Sequence, residues 1–236
     1  MAGSSLQVLK LFTALGLTAA LLLTAQPAAA VGALTLRSKS VCLAVLRKAN
    51  AAHNPPQLQG CNLRGANLRG GYLQDANLRG ANLRGANLRG AVLENANLSG
   101  AILVGANLTV AIWPVNLRYA DLTGANLTGA DLTGAGLSGA NFTGAVLNQV
   151  TLSGANLSGV NLVGAYLAHI IYRYANLTGS DLTGAKNFRY ARDLTGANFS
   201  GADLTGTDFT YPDLNAAILE GAIFTGATMP DGTIHE

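Results

Sequence analysis

A five-residue unit recurs through about three quarters of this 236-residue chain and constrains its fold more than any other feature. Typical copies are the AlaAsnLeuArgGly segment at residues 66–70 and the AlaAsnLeuThrGly segment at residues 125–129. We call the Leu or Phe position the centre of the unit. Centres recur every five residues over 58–113, 117–182 and 194–229, with Phe188 between the last two runs. An α-helix repeats every 3.6 residues and a strand every two, so neither continuous element fits this period.

A unit of five instead suits a short extended segment followed by a corner. The centre and the Ala two positions before it are apolar in nearly every copy, so we expect both to point into a common core. The Asn or Asp before the centre, the residue after the centre and the final Gly then face solvent. Gly at the corner permits a positive φ angle at no steric cost.

These units resemble the pentapeptide repeat family, whose pattern is A-(N/D)-L-x-x. The resemblance implies an all-β solenoid, a right-handed quadrilateral β-helix with four repeats in each coil. At the strand spacing of about 4.8 Å, the 35 centres form almost nine coils and a rod about 40 Å long. The family also implies structural or interaction roles, and some members mimic DNA and bind DNA gyrase.

Four units per coil place every fourth unit on the same face, and one face departs from the repeat. The residue before its centres is Asn or Asp in 3 of 8 units, against 19 of 27 on the other faces. Outward apolar residues concentrate there, and an exposed apolar patch usually marks a contact surface. We predict a protein-partner surface, with sequence drift on an inert face as the open alternative. This irregular wall comprises Tyr72, Val92, Val110, Ile112, Ile171, Tyr174, Tyr190 and Tyr211.

Two units beside this wall are one residue too long. Each has a basic residue, Lys186 or Arg192, between its Ala and its Asn or Asp. We expect each insertion to act like a β-bulge and to redirect nearby side chains.

The N-terminus has the pattern of a secretory signal. Lys10 precedes an apolar stretch over 11–25, and an A-x-A ending follows at 28–30, which predicts a signal peptide over 1–30. An uncleaved membrane anchor is the alternative, and only then do we expect membrane contact. Residues 31–56 are predicted to form a linker and a cap helix, residues 57–231 the solenoid, and residues 232–236 a C-terminal tail.

The cap is a predicted α-helix over 40–52, with Ser40 as its N-cap and Asn54-Pro55-Pro56 as its stop. Cys42 lies on this helix and Cys61 in the first repeats. In an exported protein they are expected to form a disulfide; two free buried thiols are the alternative.

Charge is graded along the chain. Residues 31–118 hold ten Lys or Arg and two acids, whereas residues 193–236 hold seven acids and no Lys or Arg. The net charge of +3 is too small to indicate nucleic-acid binding. The chain carries no G-x-S-x-G, H-E-x-x-H or P-loop motif, so we expect no catalytic residue, no metal site and no cofactor.

These features favour a non-catalytic exported scaffold that binds an unknown protein partner, in the periplasm or the thylakoid lumen. The resemblance permits an alternative, a DNA-mimic inhibitor of DNA gyrase, although the Arg-rich first coils argue against it. Ice binding is a third possibility, because Thr123, Thr143, Val163 and Thr183 stack on one face. An open last coil around 214–229 predicts a homodimer through the C-terminal coil.

Overall fold

The computed structural model describes residues 38–111 and 115–236, so the predicted signal peptide, Ile112 and Trp113 lie outside the described residues. The chain winds into nine stacked coils. Successive coils pair in parallel through one residue on each of faces 1 and 2 along the whole rod, and on faces 3 and 4 over most of its described length. The position before the centre forms these pairs. We number the coils from the residue at which each begins on the first face: Gln57, Asn77, Asn97, Asn116, Gly136, Asn156, Asn176, Asn198 and Ile218.

Four faces follow one another around each coil, which confirms the right-handed quadrilateral β-helix that the family resemblance implies. In coil 1 the residues before the centres are Gln57 on face 1, Asn62 on face 2, Asn67 on face 3 and Tyr72 on face 4. The irregular unit lengths do not disturb this order. Asn97 still pairs with Asn116 across the shortened unit, and Ile171 still pairs with Asp193 across the two long ones.

Four of the five backbone N–H groups in a unit donate to fixed carbonyl partners. The amides of the centre and of the corner Gly donate to the next coil, the Asn or Asp amide donates to the previous coil, and the next Ala closes the corner turn. Around Leu127 these bonds are Leu127 N to Val146 O at 2.8 Å, Gly129 N to Asn148 O at 3.0 Å, Asn126 N to Ala106 O at 2.9 Å and Ala130 N to Leu127 O at 2.9 Å.

The fifth amide, on the residue after the centre, is satisfied by the Asn or Asp side chain of its own unit. In the same unit the Thr128 amide donates to Asn126 Oδ1 at 3.0 Å. Equivalent bonds recur along the rod, for example from Arg84 to Asn82 and from Thr205 to Asp203. A buried or half-buried amide without an acceptor is costly, so this bond explains why the column is Asn or Asp.

The bore of the solenoid is filled by the two inward columns. Leu and Phe centres are buried from coil 1 to face 3 of coil 8, and so are the Ala residues two positions before them, apart from the half-buried Ala191. Leu83, Leu127 and Leu157 are fully buried, as the sequence predicts. In coil 9 the centres Leu219 and Phe224 are only half-buried, because no further coil covers them.

A short helix, α1 (Lys39–Ala51), covers the N-terminal end of the bore. It begins and ends one residue earlier than predicted, and its N-cap is Ser38 rather than Ser40. The Ser38 backbone is extended (φ −58°, ψ 155°) and its Oγ accepts from the Val41 amide at 3.5 Å, whereas Ser40 already lies inside the first turn. Cys42 and Leu46 are the buried residues of this helix.

A disulfide joins α1 to the first coil. Cys42 and Cys61 are bonded, with their Cα atoms 5.9 Å apart, and both are fully buried. Since Cys61 occupies the inward Ala position of a repeat, the bridge fixes the helix directly over the core.

The last residues fold back onto coil 9. Thr228 and Ile234 form an antiparallel pair, the Gly226 amide donates to His235 O at 2.7 Å, and the His235 amide donates to Ala227 O at 2.9 Å. The hairpin therefore includes residues on both sides of the tail boundary predicted at 232. It covers the face-3 edge of the last coil.

The double variant Cys42→Ser/Cys61→Ser is expected to lose about 3 kcal/mol of unfolding free energy, because the bridge closes a loop with a sequence separation of 19. Urea denaturation of both proteins, with and without reductant, measures this loss. Reductant should bring the natural chain to the variant's midpoint and leave the variant unchanged. A variant as stable as the oxidised natural chain would show that α1 needs no covalent attachment.

Candidate interaction wall

The described residues of the irregular wall lie on face 4 and on the two corners that bound it. We call the residue before each centre, which pairs with the neighbouring coils, the ladder position. On face 4 this position is held by Tyr72, Val92 and Ile171. The corner from face 3 to face 4 carries Val110, Tyr190 and Tyr211, and the corner from face 4 to face 1 carries Tyr174. Ile112 lies outside the described residues.

These side chains form two patches rather than one stripe. The N-terminal patch contains Tyr72, which is 72% exposed, with Val92 and Val110 in the next two coils. The C-terminal patch contains Ile171, Tyr174, Tyr190 and Tyr211, the last of which is 71% exposed. In coils 4 and 5 the face-4 ladder positions are Asp131 and Thr151, so a polar interval separates the patches.

The corners that bound face 4 hold most of the strained backbone of the solenoid. In the described repeats, seven corner residues other than Gly have a positive φ angle between 48° and 61°, a region that costs a non-Gly residue free energy. Six of them flank face 4, and Tyr119 is the exception. The six are Asp75, Asn95, Val110, Gln149, His169 and Tyr174.

Face 4 also leaves backbone donors without their usual acceptor. Tyr72, Val92 and Ile171 replace the Asn or Asp that would bind the amide two residues later, so the amides of Gln74, Glu94 and Arg173 have no partner in their own unit. Neither ladder bonds nor turn bonds use these donors. These amides are available to water or to a bound chain. Amides without a side-chain acceptor are less frequent on the other faces.

The C-terminal patch combines aromatic and cationic groups. His169, Tyr190 and Tyr211 form a column on successive coils, with ring centroids 5.7 Å and 6.3 Å apart. The Arg189 guanidinium lies 4.8 Å from the Tyr190 ring centroid and forms an ion pair with Asp208 at 3.7 Å. Tyr and Arg are the residues that most often dominate binding energy at protein interfaces.

The four Lys or Arg residues that follow Arg118 lie between 173 and 192, at this patch or on the adjoining face 3. Lys186 Nζ is 4.6 Å from the Tyr166 ring centroid, and the Arg173 guanidinium is 5.4 Å from that of Tyr174. Asp193 lies among them, and hydrogen bonds from the Thr195 hydroxyl and amide hold the pKa of its carboxyl below the usual value. The patch therefore carries side chains of both charge signs, with positive charges in excess.

The two long units shape this patch, and the first differs from the prediction. Lys186, expected to be the inserted residue, instead takes the ladder position and pairs with Tyr166. The extra residue is Asn187, with φ +62°, because Asn tolerates the left-handed region better than Lys does. In the second unit Arg192 is extra, since Asp193 forms the ladder pair.

An aromatic core lies beneath the C-terminal patch. Phe188 stacks on Tyr172 at 5.8 Å and meets Phe209 edge-on at 5.0 Å, and Phe199 contacts both Tyr172 and Phe188. The Tyr172 hydroxyl is fully buried without a hydrogen-bond partner, and this burial raises the pKa of its phenol. The core, which consists mainly of Leu and Ala elsewhere, therefore holds a cluster of aromatic rings where the repeat lengthens.

A cleft of about 430 Å³ adjoins the N-terminal patch. It lies between the end of α1 and the first face-4 unit, and its lining includes His53, Pro55, Tyr72 and Asp75. Within residues 38–111 and 115–236, no three His, Cys, Asp or Glu side chains come close enough to hold a metal ion. The same residues contain no helix long and apolar enough to cross a membrane.

Comparison with protein families gives one match. The family described as pentapeptide repeats matches this chain in eight copies, over residues 57–95, 72–109, 115–149, 161–192 and 193–226. These segments together cover more than half of the chain. No curated protein matches it.

Solved structures with the same repeat are similar to this chain. HetL, a pentapeptide repeat protein involved in heterocyst differentiation regulation in the cyanobacterium Nostoc sp. strain PCC 7120, is 33% identical over 80% of this chain and 98% of its own, with a TM-score of 0.36. Trypsin-treated QnrB1, a plasmid-mediated fluoroquinolone resistance protein, is 19% identical over 70% and 78%, with a TM-score of 0.55. A protein from the thylakoid lumen of Arabidopsis thaliana is 33% identical over 45% and 68%, with a TM-score of 0.29.

The Tyr174 ring lies against Gly196, the corner glycine of the next coil, so we expect Gly196→Ala to cost about 1 kcal/mol more than Gly201→Ala. Both glycines have the same left-handed backbone (φ 65° and 64°), but only at Gly196 would a Cβ meet the ring. Chemical denaturation measures the difference. It should vanish in a Tyr174→Ala background; equal costs with Tyr174 present would contradict the packing described here.

Proposed function

This chain belongs to the pentapeptide repeat family, and from that premise we propose that it is a non-catalytic exported scaffold that binds a protein partner through the irregular wall. Members of the family build a rigid rod from short units, and such a rod presents fixed side-chain patches at regular spacing. The partner would contact the N-terminal patch, the C-terminal patch or both.

One observation carries this proposal: the departures from the repeat coincide in space. Six of the seven strained corners and half of the ten exposed large apolar side chains among the described residues lie on one of four faces or at its edges. Backbone amides without a side-chain acceptor are also most frequent on that face. Drift on an inert face would lose the repeat without gathering exposed tyrosines, as in Tyr72, Tyr174 and Tyr211. Strain that the surrounding structure maintains is more typical of functional sites.

Export is supported by two further features. The apolar stretch over 11–25 and the A-x-A ending at 28–30 have the form of a cleavable secretory leader. The Cys42–Cys61 disulfide suits an oxidising compartment, such as a periplasm or a thylakoid lumen.

Ile171→Asp and Tyr211→Asp are each expected to reduce partner capture from the exported compartment at least tenfold, because a carboxylate would be desolvated within the contact. Affinity capture on the purified chain, followed by mass spectrometry, identifies the partner and measures its recovery. Ile218→Asp is the matched control, since Ile218 is 49% exposed but lies on face 1.

The same partner must be lost with both wall variants and kept with the control. Equal recovery from Ile171→Asp, Tyr211→Asp and the natural chain would mean that the wall is not the contact surface.

The mature protein is expected to begin at Val31, after removal of residues 1–30. N-terminal sequencing of the protein recovered from its compartment tests this directly. A mature chain that starts at Met1 would contradict cleavage and would favour a membrane anchor.

A further inference from the structure

Face 2 is the most regular surface of the rod. Its ladder runs without a break through all nine coils, from Asn62 to Ile223, and all of its corners toward face 3 are glycines with positive φ angles. At the strand spacing, the face extends for about 40 Å. Nothing on it resembles the insertions and strained corners of the irregular wall.

A row of β-branched residues follows the centres of this face from coil 3 to coil 9. Its members are half-buried apart from the exposed last one: Val104, Thr123, Thr143, Val163, Thr183, Thr205 and Thr225. The hydroxyls of Thr123 and Thr143 donate to Asp121 and Asn141 on the same face, both at 2.6 Å. Since these hydroxyls are already bonded within the face, a second surface could cover the row without leaving them unsatisfied.

The two ends of face 2 carry opposite charges. Arg64 and Arg84 follow the centres of coils 1 and 2, and Asp181 and Asp203 hold the ladder positions of coils 7 and 8. Hydrogen bonds from Thr205 keep the pKa of the Asp203 carboxyl below its usual value, so the carboxyl is ionised at neutral pH. In the described part of the chain, none of these four residues forms an ion pair.

The remaining faces lack this complementarity in the described residues. Face 1 has Arg79 and Arg118 but one acid near its other end, Glu220. On face 3, Lys186 and Arg189 interrupt the acidic half. Face 4 carries acids at both ends, with Glu94 in coil 2 and Asp213 in coil 8.

We propose that face 2 binds a second copy of this chain, with the two rods side by side and antiparallel. A two-fold axis between coils 4 and 5 places Arg64 opposite Asp203 and Arg84 opposite Asp181 of the other copy, and each pair occurs twice. The same operation sets Val104 opposite Val163 and Thr123 opposite Thr143. A two-fold interface uses one surface on both partners, which requires this kind of self-complementarity.

This dimer is independent of the proposed wall, which lies on another face and remains open to a different partner. It also differs from an end-to-end dimer through coil 9, which would leave face 2 exposed. Its long, narrow contact places it among the smaller interfaces, so we expect an equilibrium between monomer and dimer that is sensitive to salt.

Sedimentation equilibrium of the full chain tests the proposal. We expect dimers at about 20 mM salt and mainly monomers at about 500 mM, where charge pairs are screened. Arg84→Asp and Asp181→Arg should each weaken the dimer at least tenfold, because each places like charges opposite one another. The double variant Arg84→Asp/Asp181→Arg should restore it, since both pairs re-form with reversed sign.

Arg79→Asp and Arg89→Asp are matched controls on faces 1 and 3 of coil 2, the coil that holds Arg84, with the same charge change. The three Arg→Asp variants make the same charge change in the same coil. A difference between them therefore reports which face forms the contact. A chain that stays monomeric at low salt, a dimer insensitive to Arg84→Asp, or a double variant without recovery would overturn the proposal. Equal loss with the control variants would also overturn it, because net charge alone would then explain the effect.

Discussion

The structure depends on how each five-residue unit satisfies its backbone amides. Two amides reach the next coil, one reaches the previous coil, and one closes the corner turn, as the unit around Leu127 illustrates. The amide of the residue after the centre has no ladder partner, and the Asn or Asp side chain supplies one. The five positions of a unit are therefore an inward Ala, the side-chain acceptor, the inward centre, the residue whose amide that acceptor binds, and a corner with a positive φ angle.

The proposed contact surface lies where this pattern is relaxed. Replacing Asn or Asp by Tyr72, Val92 or Ile171 exposes an apolar group and releases a backbone donor at the same place. The corners beside face 4 carry the added strain, and the longer units around Phe188 admit aromatic rings into the core. The units on the other faces keep the regular repeat. The irregular wall and face 2 are therefore held on opposite sides of the rod.

The coil register is predicted well, because the family resemblance implies four units per coil and the inward Leu every five residues fixes where each unit lies. It places Tyr72, Val92 and Ile171 on one face even across units of irregular length, and the ladder has the same order. Local choices between neighbouring residues are harder. Ser38 rather than Ser40 caps α1, and Asn187 rather than Lys186 is the extra residue, because small differences in backbone preference decide both. The hairpin begins at Thr228 in the last unit, but its second strand at Ile234 lies beyond the repeat, where no periodic signal predicts it.

The central claim is that four units make one coil and that side-chain acceptors complete the backbone bonding. Through-hydrogen-bond scalar couplings in an NMR spectrum test it most directly. The account predicts a coupling from the Leu127 amide nitrogen to the Val146 carbonyl carbon on the next coil, and none from the Thr128 amide to any backbone carbonyl. A coupling from Leu127 to a carbonyl in another unit, or from Thr128 to the backbone, would contradict it.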